Sequence, residues 1–164
     1  GSPEMQNTSK TLPSLCEWSR THIGSTFTAP THELTLAALD QTFSRSLKAT
    51  VNGKPVDFHG FGHMIAAMSG HGSNGGPHVE WLSAHEEEEE NGCRSGIVRA
   101  EYIVRDIIGT MPGSKIPMEL EVHKKVVARI ESQSARSDLD SRRIVTLDAL
   151  TKMIPVNPSR KSHL

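Results

Sequence analysis

The chain has 164 residues, enough for one domain with a substantial core. Lys and Arg number 18 against 19 Asp and Glu, a formal net charge of −1, and no region is strongly basic, which excludes the electrostatic footprint of a nucleic-acid binder. No apolar run has membrane-spanning length and no secretory core is visible, so the expectation is a cytoplasmic protein with neither nucleic acid nor membrane as partner.

Gly1-Ser2-Pro3-Glu4 ahead of Met5 reads as a tag remnant, and residues 1–10 together as a disordered N-terminus. Residues 12–27 carry a helical pattern, with Leu15, Trp18, His22, Ile23 and Thr26 on one side. Ser14 and Glu17 have the spacing of a capping box, and Thr28-Ala29-Pro30 ends the helix. Thr31 is the predicted N-cap of a second, short helix through Leu34, Ala37, Ala38 and Leu39.

Over residues 42–51 Phe43, Leu47, Ala49 and Val51 alternate with polar residues, which predicts a strand. Asn52-Gly53 supplies a tight turn and Lys54-Pro55-Val56 a short return arm. Asp57 is the predicted cap of a helix over 58–69, whose apolar stripe is Phe58, Phe61, Met64, Ile65 and Met68. Gly60 and Gly62 each cost this helix up to about 1 kcal/mol relative to alanine, which fits close packing against a neighbour. Residues 71–77 form a glycine-rich loop without the lysine-serine ending of a phosphate loop.

Residues 78–108 read as one long hairpin centred on Glu90-Asn91-Gly92-Cys93, since Asn-Gly suits a two-residue turn in which both central residues take positive φ. That register sets Val79 against Val104, Trp81 against Tyr102, Ser83 against Ala100 and His85 against Val98. One face then carries Val79, Trp81, Val98, Ala100, Tyr102 and Val104, and the other Glu80, Leu82, Arg99, Glu101, Ile103 and Arg105. After a loop over 110–117, a strand over 118–130 divides Met118, Leu120 and Val122 from Glu119, Glu121 and His123. A polar connection over 133–141 leads to a last strand over 143–150, and the basic, proline-broken tail over 156–164 is expected to be mobile.

Helices followed by an antiparallel meander define an α+β layer, with helices on one face of a curved sheet. The elements that carry the pattern are Leu47-Lys-Ala-Thr-Val-Asn-Gly-Lys-Pro-Val-Asp57 with its helix to Met68, then Gly96-Ile-Val-Arg-Ala-Glu-Tyr-Ile-Val104, then Ser141-Arg-Arg-Ile-Val145. This order resembles the nuclear transport factor 2-like superfamily, and within it the SnoaL-like (polyketide cyclase-like) branch, over residues 12–150. The resemblance implies a single domain over 11–155: a cone-shaped, curved mixed or antiparallel sheet wrapped around N-terminal helices, a cystatin-like roll with an apolar pocket inside. Members of the family act as cyclases, isomerases or dehydratases, or only bind.

Periodicity selects the residues that face such a pocket. Asp106 extends the inward set through Tyr102, so its carboxylate is expected to meet apolar walls and act as an acid or base near neutral pH. His22, on the apolar side of the first helix, is its expected partner, and the Tyr102 hydroxyl would orient substrate. Trp18, Phe61, Met64 and Trp81 would bind substrate by enclosing it. His59 and His63 have the i, i+4 spacing of a metal pair, but they lie opposite the apolar stripe and no third ligand is placed, so no metal and no cofactor is expected. The run from Glu86 to Glu90 reads as a solvated hairpin tip, and Cys16 and Cys93 as a reduced pair.

Two functions follow from these residues. The first is a cofactor-free acid-base isomerase, cyclase or dehydratase acting on a small hydrophobic, secondary-metabolite-like molecule; the second is a non-catalytic ligand-binding or dimeric interaction module. In either case the outer hairpin face, where Leu82, Ile97 and Ile103 alternate with charges, is expected to form a homodimer.

Overall fold

The computed structural model describes residues 12–68, 75–89 and 92–156. The expectations for residues 1–10, for the tail beyond 156, for most of the glycine-rich loop and for Glu90-Asn91 lie outside the described residues.

Three helices precede or interrupt the strands. Helix α1 (Leu15–Thr28) starts where the Ser14 hydroxyl accepts from the Glu17 N–H at 3.1 Å, satisfying one of the orphan donors of a helix start. Helix α2 (His32–Thr42) is capped in the same way by Thr31, which accepts from the Leu34 N–H. Strand β1 (Phe43–Val51) turns at Asn52 and Gly53, both at positive φ (51° and 79°), into the short β2 (Lys54–Val56). Helix α3 (Phe58–Ala67) begins at Asp57, whose carboxylate accepts from the Gly60 N–H at 2.8 Å.

The long strands are β3 (His78–Glu88), β4 (Gly96–Gly109), β5 (Met118–Ser132) and β6 (Arg142–Pro155). They pair antiparallel in sequence, and β1 joins parallel to β6, giving one six-stranded sheet of order β2-β1-β6-β5-β4-β3. The inward faces of β4, β5, β6 and β1 pack against Leu15, Trp18, Ile23, Phe27, Leu39, Phe61 and Ile65 of the helices. This is the expected α+β arrangement, with the helix layer held against one face of a mixed sheet.

The hairpin departs from the expected register at one point. Val79–Val104 and Trp81–Tyr102 pair as predicted, but a bulge at Leu82 shifts everything beyond it by one residue. Ala84 therefore faces Ala100, and Glu86 faces Val98. The arms also part early: β3 ends at Glu88 and β4 starts at Gly96, with the Glu89 N–H bonded to the Ser95 carbonyl between them. An extra residue in one arm and a wider loop compensate each other, so the pairs nearest the middle of the sheet keep their predicted facing. Gly96 has no substitute there: an added Cβ would sit 2.2 Å from the Glu87 carbonyl oxygen and 2.6 Å from Leu15, so α1 can approach the hairpin only at a glycine.

Strands β5 and β6 run further than predicted, and both extensions matter. Strand β6 continues through Thr151 to Pro155, where Asn52 extends its ladder by accepting from the Thr151 N–H and donating to the Thr151 carbonyl.

Candidate functional site

The inward face of the sheet is apolar except along one row. Trp81, Tyr102, Lys124 and Thr151 are direct cross-strand partners on β3, β4, β5 and β6. Because partners in register project to the same side, all four lie on the face of the sheet that the helices cover. Trp81 leans on Tyr102 with ring centroids 4.6 Å apart, and Phe27 of α1 approaches Tyr102 at 6.2 Å. The Lys124 ammonium lies 5.5 Å from the Phe27 ring centroid and 5.7 Å from that of Phe61.

Among the described residues the three polar side chains of this row make no hydrogen bond, and the Thr151 hydroxyl oxygen is one of two buried side-chain atoms there without a partner, the other being that of Ser19. Lys124 is 4% exposed, and among the described residues its ammonium meets no carboxylate and no hydrogen-bond acceptor, only the two rings. Burial alone lowers its pKa from 10.5 to about 8, since removal from water penalises the charged form. Burial likewise pushes the Tyr102 phenol upward, and its hydroxyl makes no hydrogen bond among the described residues. The Thr151 hydroxyl oxygen is fully buried and also has no partner. Buried polar groups in native proteins are nearly always paired, so a row of three polar side chains without a hydrogen bond among the described residues is the feature of this face that stands out.

Asp106 and His22, expected as an acid-base pair, are held at opposite ends of the sheet. Asp106 is the extra residue of a second bulge, between Val104 and Ile107 in β4, beside Leu120 near the start of β5. It adopts φ 62°, a left-handed conformation that few residues other than glycine, Asn and Asp tolerate, and its carboxylate accepts from the buried Gly76 N–H at 2.9 Å. That bond ties the residues just ahead of β3 to the end of β4.

His22 belongs to a cluster by the start of β6, which pairs with the far end of β5. There Trp18, 2% exposed, stacks on His22 at 4.5 Å, and the Arg142 guanidinium lies 5.7 Å from the Trp18 ring. At about 3.3 Å per residue, β5 separates the two groups by far more than a side chain spans. The proposed pairing of His22 with Asp106 is thus not formed, and Trp18 packs in the core at the Arg142 end, away from Trp81.

Arg142 explains that end. It is fully buried, donates twice to Asp140, and reaches the carbonyls of Pro13 and Cys93 at 2.7 and 2.9 Å. Burial lowers the His22 pKa, opposed by the Asp140 charge and reinforced by Arg143 and Arg142. Burial raises the Asp140 pKa, but its bonds to Arg142 outweigh that and hold it below the usual carboxylate range.

The remaining candidates lie on or near α3. Phe61 is buried beside Lys124, and Met64 is half-buried on the same helix. His59 and His63 line a surface groove of about 430 Å³ between α2 and α3, and among the described residues no group of three His, Cys, Asp or Glu side chains converges on a metal position. The acidic hairpin tip is more engaged than a solvated run: Glu86 accepts from the Leu15 N–H, Glu88 from the Cys93 N–H, and Glu89 clasps Arg129 with two bonds of 2.7 Å.

Lys124 and Thr151 were absent from the sequence-based site. Lys124 is in phase with Leu120, Val122, Val126 and Ala128, and a lysine at an apolar position is a readable signal. Thr151 lies one residue beyond the predicted end of the last strand.

No protein-family model matches the chain, and no curated protein matches it in sequence. Among solved structures it is similar to a SnoaL-like family protein from Agrobacterium tumefaciens (9% identity, TM-score 0.49, covering 84% of this chain and 97% of that one). It is also similar to an NTF2-like protein of unknown function from Pseudomonas aeruginosa (14%, 0.46, 83% and 94%). A third likeness is to the NTF2-like domain of Mex67 from Chaetomium thermophilum, solved in complex with Mtr2 (11%, 0.44, 90% and 98%). At such identities and TM-scores these likenesses say nothing of activity, and the architecture rests on the strand order and helix packing described above. Among the described residues no helix is long and apolar enough to cross a membrane.

Proposed function

We propose that the protein binds a small hydrophobic molecule carrying an oxygen function, and exchanges a proton with it through Lys124. The observation behind this reading is the row Tyr102–Lys124–Thr151: three polar side chains without a hydrogen bond among the described residues, the Thr151 oxygen fully buried, beside Phe27, Phe61 and Trp81. A carbonyl or enolate oxygen would accept from the Lys124 ammonium and the Tyr102 hydroxyl, while the apolar remainder covers the rings. With a pKa of about 8, Lys124 is available in both protonation states near neutral pH, as an acid-base isomerase, cyclase or dehydratase requires. Met64 and Phe61 of α3 complete the apolar side.

Mass spectrometry of the denatured protein for co-purified small molecules tests this directly, together with native mass spectrometry of the wild type and Lys124→Met against a panel of aromatic ketones. Binding that is equal in both proteins, or absent in both, refutes the assignment.

A second reading is favoured by the outer sheet face. Leu82 and Leu150 are 54% and 55% exposed there, around a hollow of about 270 Å³ beside Glu101 and Lys125, which pair at 3.7 Å. A two-fold contact would bury both leucines, making the chain a homodimer. Light scattering at micromolar concentration tests it: a monomer mass rules the contact out.

A further inference from the structure

Lys124 differs from the lysines on the outer face in everything that decides amine chemistry. Lys125 is exposed and paired with Glu101, whereas Lys124 is enclosed by rings and has no counter-charge among the described residues. An ammonium so placed is more costly than the neutral amine, and a neutral, desolvated amine is a nucleophile. Tyr102 and Thr151 flank it on the two neighbouring strands; among the described residues neither hydroxyl makes a hydrogen bond, and the Thr151 oxygen is buried.

We propose that Lys124 holds an apolar aldehyde or ketone as an imine. The inference rests on the binding reading above and goes beyond it in naming the functional group and the bond. The neutral Nζ attacks the carbonyl carbon, and the C=O π pair moves to oxygen, which takes up a proton while nitrogen loses one. The carbinolamine then expels its hydroxyl as water, with a proton relayed by the Tyr102 hydroxyl, and a C=N bond replaces C=O. Amine plus carbonyl compound gives imine plus water, with no redox partner needed. Thr151 is positioned to accept a hydrogen bond from the carbinolamine hydroxyl. The walls of Phe27, Phe61 and Trp81 suit an aromatic or long aliphatic carbonyl, and they shield the C=N bond from hydrolysis. Once formed, a protonated imine would acidify the neighbouring carbon, the kind of activation an isomerase or cyclase needs.

The test uses the full chain with benzaldehyde and sodium cyanoborohydride at pH 7.5, followed by peptide mapping. The expected result is a benzylated Lys124, labelled at least roughly tenfold faster than Lys125 or Lys152, since far more of an amine with a pKa of about 8 is neutral at this pH. The labelling rate of Lys124 should level off above about pH 8, while that of the exposed lysines keeps rising. Benzyl alcohol, which cannot form an imine, is run in parallel and its binding read by tryptophan fluorescence. Label spread over exposed lysines with Lys124 unmodified overturns the proposal. If benzyl alcohol then still binds, only the imine fails and the binding reading stands; if it does not bind, both fall. Mapping on the wild-type chain needs no variant, so a folding defect in Lys124→Met cannot mask the outcome.

Discussion

Tyr102 and Lys124 are direct cross-strand partners on the inward face of the sheet, and neither side chain hydrogen-bonds the other. A lysine that donated to the neighbouring phenol would be a self-satisfied core pair. Among the described residues each side chain instead meets aromatic rings, an arrangement that leaves the polar ends without a hydrogen bond to offset their burial.

That cost sets a pH dependence. The Lys124 pKa falls from 10.5 in the unfolded chain to about 8 in the folded one, so between those values the unfolded state binds more protons and stability rises with pH. Below about pH 8 both states are charged, and the penalty of about 3 kcal/mol is fully present. Lys124→Met should therefore raise stability at pH 7 by up to about 3 kcal/mol and flatten the rise between pH 8 and 10. Urea unfolding at a series of pH values measures both.

His22 predicts the acid side. Its folded pKa lies below 6.5, so as pH falls beneath that value the unfolded chain is protonated first and stability is lost. His22→Phe keeps a ring against Trp18 and removes the titration. Its melting temperature should change less than that of the wild type between pH 6.5 and 5.

Arg142→Ala should cost about 3–5 kcal/mol, because a buried guanidinium that serves Asp140 and two backbone carbonyls leaves them unpaired when removed. Denaturant titration checks the size. A loss below about 1 kcal/mol would mean that these groups find water instead.

The bulge in β4 makes a prediction about residue type. Asp106→Asn keeps a residue that tolerates φ 62° and an oxygen for the Gly76 N–H, so its cost should stay under about 1 kcal/mol. Asp106→Val loses both and should cost about 2–4 kcal/mol. Thermal melts of the two variants distinguish this structural role from a catalytic one, in which the Asn variant would be the inactive one.

Leu82→Glu tests the outer face. Ile103, on the same face, is only 6% exposed within a single chain, so a charge there would unfold the protein, whereas Leu82 is open. If the homodimer forms, Leu82→Glu should yield a monomer by light scattering with an unchanged melting curve.

Much of this fold was readable because its signals are local. Ser14, Thr31 and Asp57 each cap the helix they precede, Asn52-Gly53 makes its turn, and alternation set the correct facing of Trp81 on Tyr102. What was not readable depends on distant partners. The Leu82 bulge follows from how the two arms fit the neighbouring strand, and the bulge at Asp106 carries that residue out of simple alternation. Periodicity could put His22 and Asp106 each on an inward side, yet it held no measure of how far apart those sides lie. Lys124 is hidden by its type, because a charge reads as surface, although its phase with Leu120, Val122 and Val126 places it inside.

Strand β6 lies between β1 and β5, yet it follows every other described strand in the chain. As the polypeptide emerges during synthesis, β1, β2 and α3 are complete long before the strand that joins them to the meander exists. Until β6 arrives, the apolar sides of Leu47, Ala49 and Phe61 have only the helices to cover them, and the parallel β1–β6 ladder must close across most of the chain. Such late, long-range closure slows folding and leaves strand edges open to other chains. The same strand also carries Thr151, so the row Tyr102–Lys124–Thr151 is complete only once β6 has joined the sheet, and the proposed ligand position depends on that closure.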